Sequence, residues 1–335
     1  IGPLAIGRIE IEHARATIRI EGLTADYEPS ELFAGRISAE RMVIADARVE
    51  LHQAPPSGRP PSFMPGWLEV VVDDATVKHL VVVAPGGEEV PFDDIRGSAK
   101  ISKSRLAFDG VHVRSTGWAV AGASGTLFAR DPLGLEVTTA WSLGENQVAG
   151  IVHAAGDLDR ILADAQVAAP GAGRAKIELT DVGPGLAFRG DVDIAMLDLA
   201  RWIAEPPVGP LAGRFAVEGD RAHYRAKGRV SGNGLPEAGV AVSARASYAD
   251  QALTFESIDA EPGENAHIAA QGTMRFAGTP AYDATAEWTG FRWPLTGRPL
   301  IVSPQGNLTA SGWAEFDWRV SGSFEPAGAP PVSGD

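Results

Sequence analysis

Seven histidines, His13, His52, His79, His112, His153, His223 and His267, are the residues best suited to hold a metal or move a proton, yet no two lie within four positions of each other. No helix can therefore aim two imidazoles at one ion. Acidic pairs occur at Asp73-Asp74, Glu88-Glu89 and Asp93-Asp94, and Asp191-x-Asp193 is followed by Asp198. Calcium loops need tighter, glycine-broken spacing, and the two carboxylates of a glycosidase would have to converge from separate strands. Solvated faces are the simpler reading of these acids. The absence of cysteine removes thiol catalysis, cysteine-based zinc sites, iron–sulfur clusters and disulfides together. Gly122-Ala123-Ser124-Gly125 lacks the spacing of a G-x-S-x-G elbow, and neither a Walker nor a dinucleotide fingerprint is present. The expectation is a protein that is not an enzyme, with no catalytic residues, no metal and no cofactor.

Tryptophan is the remaining unusual residue, eight copies against four tyrosines. In a β-rich chain indole fills cores; it also lines apolar clefts, because it pairs a flat apolar body with a single donor. Trp141 and Trp288 stand out, for a reason that follows from the elements carrying them.

Those elements are strands. Apolar residues alternate at Ile9 and Ile11, Ile18 and Ile20, Val49 and Leu51, Val70 and Val72, Leu106 and Phe108, and Leu253 and Phe255. Between them stand turn signals such as Pro85-Gly86-Gly87, Ser231-Gly232-Asn233-Gly234 and Pro262-Gly263, within a composition of 39 Gly and 24 Pro. Helical spacing is confined to Ser30 to Phe33 after Pro29, Asp157 to Gln166, and Met196 to Ala204 before Pro206-Pro207. A doubly wound α/β fold needs a helix after nearly every strand and is excluded. The fold class expected is all-β: an elongated, curved, mainly antiparallel sheet with a hydrophobic interior and a few short helices.

At 335 residues the chain exceeds the size of an ordinary single core, which favours two domains or one elongated repeat. Leu106 to Leu127 aligns without a gap on Leu253 to Met274, and the offset persists through Leu135/Tyr282, Thr138/Thr285 and Trp141/Trp288. A period so long suits a meander added repeatedly to one sheet. The organisation read from this is opening strands with a short helix over 1–53, a Pro-rich loop over 54–66, a continuous β-groove over 67–323 with repeat units about 92–168 and 239–320, and a flexible tail over 324–335. The longest apolar run, Leu80 to Ala84, is far shorter than a membrane-spanning helix. The chain starts at Ile1 with neither Met nor a signal-like segment, and reads as a piece of something longer. A net charge of −14 disfavours nucleic acid as a partner.

Near the N-terminus Ile18-Arg19-Ile20-Glu21-Gly22-Leu23, Pro29-Ser30-x-Leu32-Phe33-x-Gly35-Arg36-Ile37, Met42-Val43-Ile44 and Val49-Glu50-Leu51 follow in order. This series resembles the opening of the AsmA/TamB superfamily. The later G-x-L strands and Ala195-Met196-Leu197-Asp198-Leu199 are more similar to its TamB branch, the translocation and assembly module subunits. The resemblance implies a taco-like sheet in the periplasm, anchored in the inner membrane by an N-terminal helix missing from this chain. It also implies an outer-membrane barrel partner, TamA, reached through regions absent here.

The function this implies is a non-enzymatic bridge segment that carries phospholipid acyl chains in an apolar groove between inner and outer membranes, in support of outer-membrane biogenesis. The residues expected to line the groove are Ile9, Ile11, Ile18, Ile20, Val49, Leu51, Leu106, Phe108, Leu127, Trp141, Leu253, Phe255, Met274 and Trp288. Strands reach the same place by themselves: with too few helices to cover their dry faces, they must close, pair with another sheet, or cover an apolar ligand. Two other functions stay open. One is a scaffold for outer-membrane protein or autotransporter assembly by strand addition, and the other is a β-rich carbohydrate-active enzyme. Exposed sheet edges also lead to an expectation of self-association.

Overall fold

Bursts of β-branched and aromatic residues, each cut off by glycine or proline, become twenty-one strands and one 3-10 turn among the described residues. The computed structural model describes residues 3–334 except 14–15, 53–61, 84–86, 88, 116–117, 144–147, 170, 183–184, 199–208, 264, 276–280, 313–315 and 327–331. The chain divides into two units, 1–169 and 170–335.

In the first unit β1 (Leu4–His13), β2 (Ala16–Tyr27), β3 (Arg36–Leu51), β4 (Glu69–Val83) and β5 (Glu89–Ile101) pair each with the next. The order continues through β6 (Arg105–Ser115), β7 (Trp118–Phe128), β8 (Gly134–Leu143), β9 (Val148–Asp157) and β10 (Arg160–Ala169). All these pairs are antiparallel except β3 with β4, which run parallel with Arg36 beside Glu69 and Glu50 beside Val83. The second unit is a meander of its own through β11 (Ala172–Thr180), β12 (Ala187–Leu197), β13 (Leu211–Asp220), β14 (His223–Gly232), β15 (Val240–Ala249) and β16 (Ala252–Gly263). It ends with β17 (Ala266–Arg275), β18 (Ala281–Trp293), β19 (Ile301–Gly312), β20 (Phe316–Pro326) and β21 (Val332–Gly334), again antiparallel. Among the described residues no strand pairing closes the first strand of either unit on its last. Each unit is thus an open, elongated, mainly antiparallel sheet and not a barrel. At about 4.8 Å per step, its ladder extends roughly 43 Å in the first unit and roughly 48 Å in the second.

The turn after Pro29 forms as expected, as a 3-10 helix over Pro29–Ala34. Gly35 ends it at φ 74°, where its N–H reaches the Leu32 carbonyl and where a Cβ would strike the Trp67 carbonyl. The helix expected over Asp157 to Gln166 is instead a turn followed by β10. Asp157 Oδ1 accepts the N–H groups of Asp159 and Arg160 at 3.2 and 3.1 Å, which fixes a tight reversal. Of the third expected helix, Met196 and Leu197 end β12, and 199–204 lie outside the described residues. In the tail read as flexible, β20 runs to Pro326 and β21 pairs with it, Phe324 opposite Val332.

A crease crosses the first five strands. In each, two neighbouring residues of the apolar face are three positions apart instead of two: Ile6 and Ile9, Ile20 and Leu23, Ile44 and Ala47, Val77 and Leu80, Phe92 and Ile95. The register aligns these slips, because Ile6 faces Leu23, Leu23 faces Ile44, Ile44 faces Val77 and Val77 faces Ile95. Gly22 and Asp94 sit in the crease at φ 63° and 52°. Such a slip bends and twists the strands while keeping their apolar residues on one side.

Little of the chain is buried. The one cluster of buried apolar residues among those described is Ala25, Ala39 and Val72, at 7%, 4% and 3% exposure, with Leu23, Tyr27, Met42, Val70 and Ala75 against it. The accessible surface is 20878 Å². Two separate compact bodies of half this mass would together expose only about 16,000 Å². Among the described residues of each unit, strands contact only their neighbours in the sheet and no second layer lies on either face.

Candidate functional site

The two faces of each sheet differ in chemistry, and the register keeps them apart. In the second unit Ile177 faces Gly190, Gly190 faces Val217, Val217 faces Ala226, and Ala226 faces Ala244. The same row continues through Ile258, Ala270, Ala286 and Leu308. One row along the strands runs Val192, Phe215, Gly228 and Val242; it ends with Trp288 facing Gly306. On the other side run Phe188, Gly219, Tyr224, Ala246, Phe255 and Gly272. Three consecutive rows across nine strands therefore carry no charge and no free hydrogen-bonding group apart from the rim hydroxyl and indole of Tyr224 and Trp288, which are bonded to the Arg221 carbonyl and Ser303 Oγ.

The first unit repeats this layout. Its central row runs from Leu4 through Ala25, Met42 and Ala75 to Gly97. It resumes at Val111 against Ala123 and ends at Thr139, Val152 and Ala165. Thr139 is its single hydroxyl, and it donates to the Ala140 carbonyl at 2.9 Å.

All fourteen residues expected from the sequence as groove lining lie in strands on these apolar faces, ten in the first unit and four in the second. Several are direct neighbours: Ile9 with Ile20, Ile11 with Ile18, Ile18 with Val49, Leu106 with Leu127, and Leu253 with Met274. Leu51 faces Ala16 at the strand end. The internal repeat reappears as matched register: Phe108 faces Gly125 where Phe255 faces Gly272, and Trp141 faces Gly150 where Trp288 faces Gly306.

Glycine opposite a ring is a recurring device here. A Cβ built on Gly306 would fall on the Trp288 indole, one on Gly228 would lie 2.6 Å from Phe215 Cδ1, and one on Gly219 would lie 2.8 Å from Phe188 Cζ. The missing side chains let the rings lie down over neighbouring backbone. Trp288 is further fixed by its Nε1–H, which donates to Ser303 Oγ at 2.8 Å, and Ser303 is fully buried.

The opposite face is charged and laced across strands. In the first unit Arg19 bridges Glu10 at 2.9 Å and Glu50 at 3.1 Å, and Arg48 bridges Glu50 at 3.0 Å and Glu89 at 2.6 Å. Glu69 takes Arg36 and Lys100 at 3.2 and 3.0 Å. The hydrogen bond from Arg19 holds the Glu10 carboxyl below the usual carboxylate range, and Arg48 and Lys100 do the same for Glu50 and Glu69. In the second unit Arg189 pairs with Glu178 at 3.0 Å, Arg214 with Asp193 at 3.6 Å and Arg225 with Glu218 at 3.5 Å, again between neighbouring strands. Each pair is exposed and contributes little singly; what the lattice of charges does is mark this face as the wet one.

Among the described residues no group of three or more His, Asp and Glu is placed to hold a metal ion. His79 pairs with Asp93, His223 with Asp220 and His267 with Asp259, all at exposed positions on or beside the charged face. His52 and His153 instead meet the Thr17 and Thr138 hydroxyls at 2.9 Å each, and Glu88 and the His13 side chain lie outside the described residues. A sequence signal for the central rows exists in the small residues two positions from some of the aromatics, Gly190 from Phe188, Ala226 from Tyr224 and Ala286 from Trp288.

No family model matches this chain, and neither the curated proteins nor the solved structures include one that is significantly similar to it.

Proposed function

We propose that the chain is a non-enzymatic lipid-carrying segment whose apolar sheet faces shelter phospholipid acyl chains. The observation that carries this reading is the uncharged face that spans every strand from β11 to β19, with no layer of the same unit's described residues over it. A 16-carbon tail costs roughly 12 kcal/mol to expose to water. An open sheet relieves that cost without polar ligands, since the headgroup stays in solvent at the rim.

The resemblance to the AsmA/TamB superfamily supplies the setting. In it the chain is the periplasmic part of an inner-membrane-anchored bridge that reaches the outer-membrane barrel TamA through other regions, in support of outer-membrane biogenesis. The test is transfer of a phospholipid with a fluorescent tail from donor to acceptor vesicles. The expected result is acceleration by the protein and loss of most of it in Ala226→Asp/Ala270→Asp, which puts two charges on the central row. Equal transfer by both proteins would overturn the proposal.

A second reading rests on β1, which among the described residues pairs with β2 and with no second strand. Such an edge accepts an added strand, from an unfolded outer-membrane protein or a second copy. Photocrosslinkers in β1 that capture nascent barrel strands, with none captured from β7 or β8, would favour it.

A further inference from the structure

The charged face of the second unit is not evenly mixed. From Leu211 to Ala249, over β13, β14 and β15, the chain carries six Lys and Arg against three Asp and Glu, although its net charge is −14. β14 presents Arg225, Lys227 and Arg229 in alternation on this face, all exposed. The register sets like charges directly opposite one another: Arg214 of β13 faces Arg229, and Arg245 of β15 faces Arg225. Such pairs destabilise a sheet unless something neutralises them. The chain itself does so only in part. Glu218 reaches Arg225 at 3.5 Å and Asp193 reaches Arg214 at 3.6 Å, both at exposed positions. Arg229 donates to the Ala238 carbonyl at 2.6 Å and Arg245 to Ser257 Oγ at 3.2 Å, and among the described residues neither they nor Lys227 has an ion pair.

We infer that this cluster is a binding site for a compact soluble anion bearing two or three phosphate groups. Lys227 is at its centre, with the short residues Ala216 and Ser243 opposite it on the two neighbouring strands. Four residues along β14 span about 14 Å, and the two strand spacings from β13 to β15 about 10 Å. Five cations stand there against the one carboxylate of Glu218, and two phosphate monoesters carry roughly −3 to −4 at pH 7. Four of the five cations are arginines, whose planar fork takes phosphate oxygens two at a time. An extended anionic surface is a poor occupant, because acids close the cluster on both sides. Asp191 and Asp193 of β12 lie beside Ala216 and Arg214, and Asp259 and Glu261 of β16 lie beside Ser243 and Ala241. The site is on the face away from the apolar rows and does not depend on the lipid reading.

The experiment is calorimetric titration of the full chain with tripolyphosphate at about 150 mM salt, where distant charges are screened. Lys227→Glu and Arg245→Glu are expected to weaken binding at least ten-fold, whereas Lys78→Glu, the same change of charge in the first unit, leaves it within two-fold. Arg245→Glu also turns a like-charge pair into an opposite one, so without ligand its melting temperature is expected to be no lower than the parent's. A lower one would overturn the argument from register. No binding by the parent, or equal binding by all four proteins, would overturn the site. Citrate or hexaglutamate bound as tightly as tripolyphosphate would overturn its assignment to phosphate. Binding only to vesicles containing phosphatidylglycerol would overturn a soluble ligand in favour of a membrane.

Discussion

At the scale of residues, the pairing of glycine with a ring decides local stability. Gly306 lies under Trp288, so Gly306→Ala forces the ring off the sheet, and Gly228→Ala sets a Cβ against both the Arg214 carbonyl and the Phe215 ring. The expected loss is about 1–3 kcal/mol, the usual range for overpacking. Urea unfolding of each variant checks it; a midpoint equal to that of the parent would show that the rings do not rest on the glycines. Asp220 is a second local lock: its carboxylate accepts the N–H groups of Ala222 and His223 at 2.7 and 2.8 Å, and those bonds hold its pKa below the ordinary aspartate value. Asp220→Ala leaves the β13–β14 turn without this acceptor, and the expected outcome is a lowered urea midpoint, measurable in the same way. The Trp141/Trp288 correspondence was legible in the sequence because the repeat is ungapped there. Its meaning was not, since the partners Gly150 and Gly306 lie on the next strand and only the register brings them underneath.

At the scale of elements, alternation revealed nearly every strand, because half-buried sheets write a period of two. Two features escaped it. The crease over β1 to β5 replaces two by three at one column, and a reader who counts Ile9 and Ile11 has no reason to add Ile6 to the same face until Gly22 is seen at φ 63°. The stretch Asp157 to Gln166 carries Leu158, Ile161 and Leu162 at helical spacing. Asp157 nonetheless caps a turn, and Leu162 points to the solvent side at 54% exposure. The charged face of the first unit has its own consequence. Glu10, Glu50 and Glu69 titrate below their unfolded values, so their stabilising contribution is complete above the ordinary glutamate pKa and is lost as pH falls through that value to their lowered ones. Thermal unfolding of the protein followed from pH 7 to pH 3 should show the melting temperature falling toward the acid end. High salt at pH 7 should have a smaller effect in the same direction. A melting temperature that rises on acidification would contradict this role of the ion pairs.

At the scale of the whole molecule, the surface area is the governing fact. The chain exposes about 5,000 Å² more than two compact bodies of its mass, and the apolar faces of both units belong to that surplus. Exposed apolar area so large is rarely left bare. A net charge of −14 works against a second copy lying over these faces; the cover proposed here is lipid. The fold was readable because its order is local, each strand beside its neighbour in sequence. The site was readable only as a list of apolar residues, because a continuous row across nine strands exists only once every register is known.

Native mass spectrometry of the protein purified from cells without detergent tests the central claim most directly. The expected spectrum shows the chain with one or more phospholipid masses attached, and those masses disappear from the Ala226→Asp/Ala270→Asp variant. A bare chain that stays monomeric and binds no added phospholipid would contradict the account.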